Sequence, residues 1–116
     1  MSIRRYDEVT PYLNEAAVHG GVAYLAGLAA DDISQDVKGQ TRQTLATIDR
    51  VLAQAGSDKA KILRVEIWLS DMANFDAMNE VYVAWIDPDN VPARVCVESR
   101  LWDAAAQVEI MVTAAV

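Results

Sequence analysis

The sequence predicts an α+β domain, a mixed sheet with both helices packed on one of its faces. Three observations predict it. Short segments of alternating apolar and polar residues recur near both ends, the period of half-buried strands. Two longer segments repeat their apolar residues every three or four positions, the period of a helix lying on a core. The order runs strands, helix, strand, helix, strands, and a strand–helix–strand connection favours a right-handed crossover with neighbouring strands often parallel.

In chain order, Ile3–Tyr6 fits a short edge strand, and Thr10-Pro11-Tyr12 a turn, because proline fixes φ and drives its neighbour out of the helical region. Ala16–His19 and Val22–Ala26 flank Gly20-Gly21, a hairpin signal. Gly27 marks a strand end, or a place where another group comes close to the backbone. After the polar stretch Asp31–Gln35, the stripe Thr41, Thr44, Leu45, Ile48, Val51, Leu52 and Ala55 predicts a helix from Asp36 that stops at Gly56. A strand follows over Ile62–Leu69, with Leu63, Val65, Ile67 and Leu69 on one side and Arg64, Glu66 and Trp68 on the other. Asp71 or Asn74 is a candidate cap for a second helix with the stripe Phe75, Met78, Val81, Tyr82 and Trp85, ended by Pro88. Two strands close the chain: Ala93–Glu98, and Val108 onwards. The faces so assigned put Trp68, Cys96 and Met111 opposite the helices. They are too apolar for water, so oligomerisation is the expected cover.

With 116 residues, the chain is most simply one domain, residues 1–116, burying roughly two-thirds of its unfolded surface. The net charge of −7 and the scattered basic residues argue against nucleic acid, which needs a basic footprint, and against anionic membranes. One cysteine, Cys96, excludes an internal disulfide, and the one histidine, His19, has no partner at metal-ligand spacing. No signal-like segment or membrane-length apolar run is present, so the chain reads as cytoplasmic.

Arg94 and Glu109 stand out as ionisable groups inside strongly strand-forming runs. A guanidinium in such a place is a rigid fork suited to a carboxylate, which could belong to Glu109 or to a ligand. Cys96 without a nearby imidazole behaves as a small hydrophobe or a pocket wall rather than a nucleophile.

Pro92-Ala93-Arg94-Val95-Cys96-Val97-Glu98, followed by Val108-Glu109-Ile110-Met111-Val112-Thr113-Ala114-Ala115, resembles the C-terminal signature of the RidA family, the YjgF-like reactive intermediate deaminases. The likeness extends to the hairpin ending in Gly27, to Gln40-Thr41-Arg42-Gln43, to Ala55-Gly56, and to Met78-Asn79 with Tyr82. It implies a chorismate-mutase-like fold and a homotrimer with clefts between subunits. It implies hydrolysis of amino-acid-derived imines and enamines, such as 2-aminoacrylate/2-iminopropanoate, to 2-keto acids and ammonia, with no cofactor and no metal.

By that resemblance Arg94 binds the substrate carboxylate, Cys96 lines the pocket and Glu109 positions the attacking water. Gly27 matches the glycine of the family's Ser-Gly-Gln segment, where this sequence has Ala26 and Leu28 in place of the serine and glutamine. Tyr12 resembles the family's N-terminal tyrosine, at a spacing to Gly27 one residue longer. The small-molecule partner expected is an imino or keto acid. The two departures favour a rival reading, a trimeric protein that binds or senses a keto acid without turnover.

Overall fold

The computed structural model describes residues 2–116. Strand β1 spans Arg4–Thr10, β2 Leu13–His19 and β3 Val22–Leu25; helix α1 spans Val37–Gln54, β4 Ile62–Leu69, α2 Phe75–Trp85, β5 Ala93–Glu98 and β6 Val108–Ala115. Short 3₁₀ turns at Lys59–Lys61 and Met72–Asn74 lead into β4 and α2. The six strands form one sheet in the order β1-β2-β3-β6-β4-β5. Only β4 and β5 pair in parallel, joined through α2, as a helical crossover requires. The domain is two layers deep, 43 × 37 × 20 Å.

Gly20 and Gly21 both take positive φ (60° and 79°), the backbone a two-residue hairpin needs between His19 and Val22. Asp36 caps α1 by accepting from the Gly39 amide at 2.8 Å. Gly56 just beyond it turns left-handed (φ 83°). Asp71 caps the 3₁₀ turn ahead of α2, whereas Asn74 makes no side-chain cap. The Trp85 indole donates to Asp49 at 3.0 Å and ties the two helices together.

The core lies between the helices and one face of the sheet. Ala23, Leu25, Val65, Ile67, Ile110 and Val112 meet Leu45, Ile48, Leu52, Met78 and Tyr82 there. The opposite face, with Tyr24, Glu66, Trp68, Val95, Val97, Glu109 and Met111, is not covered by any other described element.

Two expectations are corrected. Leu63 does not alternate with Arg64: a bulge between Ile62 and Arg64 puts Ile62 in the core and leaves Leu63 exposed. Cys96 does not join Trp68 and Met111 on the open face. It pairs with Ile67 and packs on the core side, because β5 is an edge strand whose helix-facing row is Arg94 and Cys96. Both valines, Val95 and Val97, point outward instead and stay about two-fifths exposed. An edge strand covered on one side near α2 does not obey the rule that the apolar row faces in. No helix among the described residues is long and apolar enough to cross a membrane.

Candidate functional site

Arg94 sits on the helix-facing side of β5, aligned with Val65. Its guanidinium lies over the Tyr82 ring at 4.8 Å and the Phe75 ring at 5.6 Å. Its Nη1 donates to Asn79 Oδ1 at 2.6 Å. Phe75, Asn79 and Tyr82 follow at helical spacing, so one stripe of α2 both stacks on the fork and aims it. No carboxylate lies within ion-pair distance of Arg94 among the described residues. The guanidinium therefore keeps donors free for an incoming anion. Asn79, part of the family likeness through Met78-Asn79 but given no site role by it, gains one from this contact with Arg94.

Glu109 rises from β6 on the other face, beside Trp68 of β4. Its carboxylate lies against the backbone of Gly27, with Cδ 3.1 Å from where a Cβ on that residue would stand. The two come together because Leu28 bridges to Ile110, exchanging backbone hydrogen bonds of 2.8 and 2.9 Å. Gly27 and Glu109 are the residues next to that bridge. Desolvation pushes the Glu109 pKa upward, and no cation among the described residues offsets it. Ala26 is half-buried beside them, its amide bonded to the Glu15 carbonyl at 2.8 Å.

The expected site residues thus fall into two groups. Ala26, Gly27 and Glu109 gather at the β3 end and the open face. Arg94 and Cys96 lie on the helix side, at the far edge beyond β4. Tyr12 joins neither group: it is 86% exposed in the β1–β2 turn, while Leu13 is the residue lining the hollow beside Gly27. Burial pushes the Cys96 thiol above its ordinary pKa, with Arg94 opposing more weakly, so it stays a neutral thiol. An intramolecular Arg94–Glu109 ion pair is excluded, since the sheet stands between the two side chains.

The sequence profile described as Endoribonuclease L-PSP matches residues 2–116. The RutC family protein of Haemophilus ducreyi is 39% identical over 109 residues, 94% of this chain and 93% of the relative. The RutC family protein YoaB of Escherichia coli is 35% identical over the full length of both. The crystal structure of NMB1025 from Neisseria meningitidis, a member of the YjgF protein family, superposes with a TM-score of 0.95 at 41% identity, covering 99% of this chain and 95% of that one. The chain belongs to the YjgF-like (RidA) family. Its mixed six-stranded sheet and two helices are the YjgF architecture.

Within that architecture the chemistry available is limited and specific. One group supplies a free, oriented guanidinium, which can hold a carboxylate by two parallel hydrogen bonds. The other supplies a partly desolvated carboxylate, a better base than one in water. No three metal-binding side chains gather anywhere among the described residues.

Proposed function

We propose that this YjgF-like protein is a cytoplasmic hydrolase of imines and their enamine tautomers derived from amino acids, releasing a 2-keto acid and ammonia. The observation that carries the reading is that Arg94, held by Asn79 and the Tyr82 ring, faces no carboxylate among the described residues. Glu109 is likewise without a cation on the opposite face. A complete site then needs two copies, Arg94 and Cys96 from one meeting Gly27 and Glu109 from the next. A homotrimer with sites between subunits meets that need and covers the exposed Val95, Val97 and Tyr24 of the open face.

Arg94 holds the substrate carboxylate and so fixes the imine carbon. Water adds to that carbon, the π pair moves to nitrogen, and Glu109 takes the proton from the water. The resulting carboxylic acid returns the proton to the amine of the carbinolamine. Ammonia then leaves as Glu109, again a carboxylate, takes the hydroxyl proton and the carbonyl forms. A protonated imine is already electrophilic, so no cofactor is required.

The test generates 2-aminoacrylate with a dehydratase and follows keto acid formation. Acceleration over the spontaneous rate supports the reading. Arg94→Ala abolishes both turnover and keto acid binding. Glu109→Gln lowers turnover by about 10²-fold or more and leaves binding. Binding of a keto acid without acceleration would replace the enzyme with a carboxylate-sensing protein. A fully active Glu109→Gln would remove Glu109 from the water-handling role.

A further inference from the structure

Beside Arg94, on the side away from the sheet, a hollow of about 350 Å³ opens between the end of α2, the Pro88–Pro92 segment and β5. Its polar lining comes from Arg94 and Asn79, which meet there, and from Tyr82, whose ring lies under the guanidinium. The remainder is walled by Val83, Ile86, Pro88, Val91 and Pro92. Val83 and Val91 are 60% and 68% exposed, so this wall is apolar surface left open rather than core. A cavity of this size with an apolar lining and a few convergent polar groups is the usual form of a small-molecule site.

We infer that this hollow is a specificity subsite, and that the protein selects 2-imino acids with a branched aliphatic side chain over 2-iminopropanoate. The inference rests on Arg94 binding the substrate carboxylate, as proposed above. The charge arrangement identifies the occupant: an uncommitted guanidinium in the lining calls for an anion, and the apolar walls call for a hydrocarbon body joined to it. In a 2-imino acid the side chain branches from the carbon next to the carboxylate. A carboxylate clasped by Arg94 therefore brings the side chain into the same hollow, whose apolar wall is Val83, Ile86, Pro88, Val91 and Pro92. The guanidinium cannot swing away from the hollow, because Asn79 and the Tyr82 ring hold it. A methyl side chain would leave most of the wall in water. Three further carbons bury part of it, and each buried methylene contributes a few-fold in affinity.

The experiment titrates the full chain with pyruvate and with 4-methyl-2-oxopentanoate by calorimetry. In parallel it compares kcat/KM for the imines that an amino acid oxidase makes from alanine and from leucine. The branched keto acid is expected to bind about tenfold tighter, and its imine to be preferred by a similar factor. Val83 and Val91 are exposed, so Val83→Asn and Val91→Asn leave the fold intact and add no charge beside Arg94; each should cut the preference to about twofold or less while pyruvate binding through Arg94 holds. Equal affinity for the two keto acids, or a preference unmoved by either substitution, overturns the subsite while leaving any imine hydrolysis standing. A preference in binding without turnover of either imine keeps the subsite and removes the hydrolase. Failure of both keto acids to bind overturns the two together.

Discussion

The carboxylate of Glu109 lies over the bare Cα of Gly27, filling the space a side chain there would occupy. Gly27 is not needed for a left-handed turn, since its φ is not in the positive range. Its use is the close approach it allows. The closeness follows from the Leu28–Ile110 bridge, which brings the end of β3 alongside β6.

Gly27→Ala tests that use. The new methyl collides with the outer end of a flexible side chain, so Glu109 swings aside and the fold survives. The melting temperature should fall by no more than about 3 °C, read by circular dichroism. The rate of imine hydrolysis should fall at least about tenfold, because a base moved by an ångström no longer meets the water. An active Gly27→Ala protein would show that the Glu109 carboxylate need not stand where it does.

Glu109 also makes stability depend on pH, with a definite sign. Desolvation raises its pKa in the folded chain, so the folded state favours the protonated form. The associated stability is complete below the unfolded-state value and is lost as the pH rises through the folded-state value. Above that value the folded chain holds a poorly solvated charge. Glu109→Gln should therefore raise the melting temperature at pH 7 by about 2 °C. The gain should shrink as the pH falls toward about 4 and below, where the carboxyl becomes protonated in both states. Thermal scans across pH 4–8 check it. A variant less stable at pH 7 would mean that Arg94 of the next copy, which the proposed site brings to Glu109, outweighs the desolvation and holds the carboxyl ionised.

Gln40 is the polar residue on which two loops depend. It is fully buried in the first turn of α1. Its Nε2 donates to the carbonyls of Ile33, Gln35 and Ala105 at 3.2, 3.0 and 3.0 Å, and its Oε1 accepts from the Gln107 amide at 2.9 Å. Gln107 directly precedes β6, so this side chain helps set where Glu109 emerges. Gln40→Leu keeps the volume and strands those backbone groups. The expected cost is about 3 kcal/mol, a fall of roughly 10 °C in melting temperature, measured by urea and thermal unfolding. Unchanged stability would mean that water replaces the amide without penalty.

Local patterns were enough to place both helices, the start of α1 at Asp36 and its stop at Gly56, the Gly20-Gly21 hairpin, and four of the six strands within a few residues. These are local matters: side-chain period, capping chemistry and left-handed turn residues act over a few positions. The first two strands run longer than their apolar patterns, Arg4–Thr10 and Leu13–His19, because pairing with a neighbour extends a strand through polar residues. The ionisable pair Arg94 and Glu109 was also visible in the sequence, since charge inside a strand-forming run is conspicuous.

Which way those two side chains face was decided only by the tertiary structure. Alternation assigns residues to two sides without saying which side meets the helices; that depends on what lies across the sheet. Here the edge position of β5 beside α2 sends Arg94 and Cys96 inward, and the central position of β6 sends Val108, Ile110 and Val112 inward and Glu109 outward. Asn79 and Gln40 became legible for the same reason: their hydrogen bonds join segments distant in the chain, and a side chain's long-range partner is set by packing, not by its neighbours in sequence.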